Sequence, residues 1–154
     1  MMRNLATILA AALSVASGDF VSARLMKDWT YEELFSKSDF VVIAEPISAT
    51  RDTDERTNLE GIAPPTPVIG VATDFKTLLV LKGQKQDRFV LHHYRLAKPD
   101  VPLINGPQLV TFGPTEYPAY LLFLVRERDG RFAPVDGQTD PGLFSVKRLS
   151  EPGN

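Results

Sequence analysis

Proline punctuation sets the outline of this chain. Pro64, Pro65, Pro67, Pro99, Pro102, Pro107, Pro114 and Pro118 fall between short apolar runs, not inside them. Proline has no N–H and a fixed φ, so it is kept out of helix interiors and central strands. The runs it separates are therefore short, and most carry the period of a strand. Phe40 to Ala44, "FVVIA", is apolar and β-branched. Val68 to Leu81, "VIGVATDFKTLLVL", is long, and Gly70 with Thr73-Asp74 predicts a bulge or bend within it. Arg88 to Leu96, Leu109 to Phe112 and Tyr120 to Arg126 follow; the last is apolar on both faces and is expected at the centre of a sheet. Asp129-Gly130 is a two-residue type I′ hairpin signal, with Arg131 to Val135 returning antiparallel. Gly142 to Leu149 closes the series as a strand or extended arm.

One segment has a different period. In "DWTYEELFSK", Thr30 and Glu33 form a capping-box pattern, and Tyr31, Leu34 and Phe35 share one face. Two helical turns are unstable alone, so this helix must dock on an apolar surface, and one end of a barrel is the natural place. The expected fold is mainly β: a small closed antiparallel barrel, OB-like and Greek key, with one short N-terminal helix. Residues Ala49 to Pro67, with "RDTDER" followed by "GIAPPTP", read as its longest loop.

A chain of 154 residues suits one domain. Arg3, the uncharged run Asn4 to Gly18, and small residues before Ala16 or Ala23 read as a secretory signal cleaved after one of those two alanines. That run is shorter than the roughly 20 residues a spanning helix needs. The expectation is residues 1–23 as signal peptide and 24–154 as one barrel domain, exported to the periplasm or cell exterior. With no cysteine there is no disulfide, thiolate site or cysteine nucleophile. A net charge of −2 with interspersed signs gives no footprint for nucleic acid. The mature protein is expected to be a monomer off the membrane, and its partner an unidentified protein or small polar ligand.

"SDFVVIAEPISAT", "FKTLLVLKG" with the following "FVLHHY", and "YLLFLVRERDGRFAPVDGQ" resemble segments of small exported bacterial proteins. These are distantly similar to the OB-fold barrel of netrin-like and tissue-inhibitor-of-metalloproteinases domains. The resemblance spans about Thr30 to Gly137 and implies a barrel. It also implies a protease inhibitor as an alternative function, but not by the family's cysteine-based zinc chelation, since this chain has no cysteine. The helix also precedes the first strand, whereas the family's usual place for it, here Ala97 to Gln108, holds three prolines.

His92 and His93 are the only histidines. On a strand they point to opposite faces, His92 with Val90 and Tyr94, His93 with Leu91 and Arg95. They cannot share one metal ion, and no cofactor is expected. Asp52-Thr53-Asp54 begins like a calcium loop, but Arg56, Thr57 and Ala63 stand where an EF-hand needs a ligand, a glycine and a glutamate. Ser48 and Ser145 lack a nucleophile elbow. Asp136 and Asp140 belong to a turn, and "LKGQK" is not a phosphate loop. His92, Tyr94 and Arg126 form the candidate binding surface if their strands are neighbours. The sequence thus suggests a non-catalytic binding or interaction module, with the inhibitor, or a hydrolase whose site assembles only in space, as alternatives.

Overall fold

The computed structural model describes residues 28–59, 65–99, 109–112, 119–137 and 144–149. The expected signal segment, Asp140, and most of the proline-rich interval before Gln108 lie outside them. Helix α1, Tyr31–Lys37, starts on the expected cap: the Glu33 N–H donates to Thr30 Oγ1 at 3.2 Å and the Thr30 N–H to Glu33 Oε2 at 3.1 Å. Seven strands follow: β1 Phe40–Pro46, β2 Arg51–Asn58, β3 Pro67–Lys82, β4 Arg88–Leu96, β5 Ala119–Arg126, β6 Phe132–Pro134 and β7 Val146–Leu149.

Five of them close on themselves in the order β1-β3-β4-β6-β5 and back to β1. This is the OB-like Greek-key barrel expected from the sequence. Its pairings are antiparallel except for one parallel bridge, Leu91 to Phe132, where β4 meets β6. Strand β2 extends the sheet along β3, and β7 continues the edge of β5 beyond β6. The interior holds Phe40, Val42, Phe75, Phe89, Leu91, Tyr120, Leu122, Leu124 and Phe132. Burying each such side chain stabilises the fold by about 1.5–3 kcal/mol. Phe75 stacks on Phe89 at 5.4 Å between centroids and meets Phe112 edge-on at 4.9 Å.

Because its own aromatics fill the barrel, α1 is not its plug. Leu34 instead packs on the outer face of the wall, against Val41 and Phe123, while Tyr31 and Phe35 stay exposed. This explains why β5 is apolar on both sides: Tyr120, Leu122 and Leu124 line the interior, and Leu121 and Phe123 lie in the cluster with α1.

Three further expectations are revised. The charged stretch "RDTDER" is not a loop but most of β2. Charges are tolerated there because β2 lies outside the closed barrel and is mostly exposed, and charged side chains also discourage edge-to-edge aggregation. Its charges pair across the sheet, Arg51 with Asp74 and Arg95 Nε with Asp52 Oδ1 at 2.7 Å. The irregularity expected in β3 is not at Gly70 or Thr73, where pairing with β4 runs unbroken from Val68 to Lys76, but further along, where the register with β1 shifts between Lys82 and Val80 and between Leu79 and Thr77. The hairpin between β5 and β6 has a three-residue loop, not two: the Glu127 N–H donates to the Arg131 carbonyl at 2.8 Å and the Gly130 N–H to the Glu127 carbonyl at 3.0 Å. Gly130 takes φ +90° in this loop, as a type I turn followed by a left-handed residue requires.

Candidate binding face around His92

Strand alternation separates the two histidines as expected. Phe89 and Leu91 line the barrel, so His93 points inward and His92 outward. Both are almost fully buried, at 2% and 3% exposure, but their surroundings differ in kind.

His93 is a neutral core residue. Its Nδ1 lies 3.1 Å from the Val110 carbonyl, which can only accept, so Nδ1 carries the hydrogen. Nε2 is then the acceptor, taking the Thr73 hydroxyl hydrogen at 2.9 Å. Thr73 Oγ1 in turn accepts from Thr50 Oγ1 at 2.8 Å. Burial pulls the His93 pKa down from 6.5 to about 4, a drop the Val110 hydrogen bond opposes and the neighbouring His92 assists.

His92 stands among charges. Nδ1 is 2.9 Å from both oxygens of Glu127, and Nε2 is 3.0 Å from Glu55 Oε2. The Tyr94 hydroxyl donates to Glu55 Oε1, and its ring meets the imidazole edge-on at 5.2 Å. Burial raises the Tyr94 phenol well above its ordinary range, and the Glu55 hydrogen bond and the charges of Glu55 and Glu127 add to the effect. Arg131 closes the ring of charges: Nε lies 2.7 Å from Asp129 Oδ2 and 3.6 Å from Glu127 Oε2, and its terminal nitrogen 4.0 Å from Glu55 Oε2.

Glu55 reaches this place by a local irregularity. Between Asp52 and Arg56, β2 advances four residues while β3 retreats two, from Val71 to Ile69. The two extra residues make a bulge that carries Thr53 to Glu55 across the outer face of β3. The crossing passes directly over Gly70, where a Cβ would lie 2.8 Å from Thr53 Oγ1 and 2.9 Å from Glu55 Cβ. The Thr53 hydroxyl pins the bulge by donating to the Gly70 carbonyl at 2.8 Å.

Of the residues singled out from sequence, the fold brings His92 and Tyr94 together and leaves Arg126 apart. Arg126 follows Leu122 and Leu124 on the inward-facing register of β5, and its guanidinium carbon lies 4.6 Å from the Phe132 ring centroid. Arg131 takes the place foreseen for it. Glu55, Glu127 and Arg131 escaped the sequence reading. The available signal was Gly70, since a glycine inside a strand marks a close backbone approach. Among the described residues, no group of three or more histidine, aspartate or glutamate side chains is arranged to hold a metal ion. Ser48 Oγ accepts the Asp74 N–H at 3.0 Å, and the Ser145 hydroxyl donates to Asp136.

Comparison of the chain with protein-family models finds no match, and comparison with curated proteins finds none either.

Proposed function

We propose that the chain is an exported, non-catalytic binding module whose ligand-contacting surface is the outer face of β4 around His92. The carrying observation is convergence: the β2 bulge, β4 and the β5–β6 hairpin deliver Glu55, His92, Tyr94, Glu127 and Arg131 to one place. Counting only the five barrel strands, these are the third strand, the first-to-second connection and the fourth-to-fifth connection. OB-type barrels meet their ligands on that face and with those loops.

The chemistry of the face narrows the ligand. Glu55, Glu127 and Asp129 set three carboxylates against the one guanidinium of Arg131. Such a surface disfavours phosphate polyanions and suits a small polar ligand rich in hydrogen-bond donors or positive charge. Both nitrogens of each imidazole face protein atoms, which favours binding over acid–base chemistry. The inhibitor reading is weaker, because β2 ties much of its wedge segment to β3.

The test is an amide NMR titration with three probes: a protonated diamine, a neutral oligosaccharide and a short oligonucleotide. The diamine or the sugar should shift signals at residues 53–55, 92–94 and 127–131, and Glu127→Gln should weaken the effect. Response only elsewhere on the barrel, or only to the oligonucleotide, would overturn the assignment.

A further inference from the structure

We infer that His92 is a proton-controlled clasp that holds the β2 bulge against β4 when doubly protonated and releases it when neutral. The inference concerns the regulation of the face proposed above, but it needs no ligand.

The imidazole faces a carboxylate at each ring nitrogen, Glu127 at 2.9 Å and Glu55 at 3.0 Å, and is shielded from water. A neutral imidazole has one N–H and one lone pair, whereas an imidazolium has two N–H groups. Only the cation presents an N–H to each carboxylate at once, a charge-assisted hydrogen bond to Glu127 and a charge contact to Glu55. In the neutral ring one nitrogen turns a lone pair toward a negative oxygen.

The geometry also selects which contact fails. Nδ1 meets both oxygens of Glu127 as hydrogen bonds, while the Nε2 contact is to a single oxygen of Glu55. The neutral ring therefore keeps its hydrogen on Nδ1 for Glu127 and turns the lone pair to Glu55. Glu55 belongs to a bulge whose backbone departs from the β3 ladder between Asp52 and Arg56. It is also held by the Tyr94 hydroxyl, by the Thr53 bond to Gly70 and, more loosely, by the Arg131 guanidinium 4.0 Å from Glu55 Oε2. Among the described residues, the charged and titratable groups facing His92 are Glu55 from β2, Tyr94 from its own strand, and Glu127, Asp129 and Arg131 from the hairpin. His93 faces the other side of the sheet.

The experiment is amide hydrogen exchange on the ligand-free full chain, read as protection factors corrected for intrinsic rates, between about pH 5 and pH 8, where imidazoles change charge. Nitrogen NMR of the imidazoles follows His92 directly. At the acid end His92 should show two N–H groups and the amides of residues 53–56 should be protected. At the alkaline end their protection should fall roughly tenfold, with the Val71–Leu91 stretch of the β3–β4 ladder unchanged. His92→Gln should abolish the dependence. Glu55→Gln, which keeps the side-chain shape, should do the same if the first variant does not fold. Protection over 53–56 that is flat with pH in the wild type, or that keeps its pH dependence in Glu55→Gln, would overturn the clasp. A working clasp without any ligand response would overturn only the binding proposal.

Discussion

Acid should destabilise this protein through His93, and the size of the effect follows from where the ring is buried. The folded-state pKa is drawn down from 6.5 to about 4, chiefly because burial disfavours the charged ring. The unfolded chain therefore takes up this proton first as pH falls. The associated stability is fully present above about pH 6.5 and drains away as pH drops toward about 4. At about 1.4 kcal/mol per pH unit, that interval corresponds to about 3 kcal/mol, of which about 2 kcal/mol is lost by about pH 5. The informative perturbation is His93→Gln. One amide cannot both donate to Val110 and accept from Thr73 as the ring does, so the variant should be weaker by about 1–3 kcal/mol at about pH 7.5. It carries no titrating group, so the gap from wild type should shrink by about 2 kcal/mol when urea unfolding is repeated at about pH 5. A gap that stays constant or widens would mean that the buried ring is not the neutral species deduced from its hydrogen bonds.

Other variants probe the frame that positions the site. Gly70→Ala places a methyl 2.9 Å from Glu55 Cβ; it should cost about 1–3 kcal/mol in urea unfolding and shift the Tyr94 ring signals as Glu55 is pushed off, whereas unchanged signals would refute the crossing. Thr30→Ala removes the cap of α1 and should cost about 1 kcal/mol by the same measurement. Phe75→Ala empties a fully buried position between Phe89 and Phe112 and should lower stability by about 3–5 kcal/mol, seen as a large drop in the urea midpoint.

Much of the barrel was legible because its signals are local. Strand β4 has the bounds read from its alternation, Arg88 to Leu96, and α1 announced itself by a cap whose two hydrogen bonds span only three residues. Strand β2 was hidden for a physical reason. Apolar alternation reports burial on one face, and β2, lying outside the closed wall, buries little of either. The hairpin loop was misjudged because Asp-Gly serves two-residue and three-residue turns alike; the choice is made by which N–H reaches the Glu127 carbonyl. The opposition of the two imidazoles needed nothing beyond strand geometry. Their partners did, since Glu127 and Glu55 arrive from distant parts of the chain.

Under the proposed clasp, the two histidines answer acid differently from neighbouring positions on one strand. Protonation of His93 is resisted by burial beside a backbone carbonyl and a threonine hydroxyl, so acid favours the unfolded chain. Protonation of His92 completes its contacts to two carboxylates, so under the proposed clasp acid tightens the outer face. The two rings separate by readout: His93→Gln should remove the acid loss of global stability, and His92→Gln should remove the pH dependence of exchange over residues 53–56 while leaving that loss in place. If the two variants instead showed the same pH profile, strand alternation would not be what divides the chemistry of this pair.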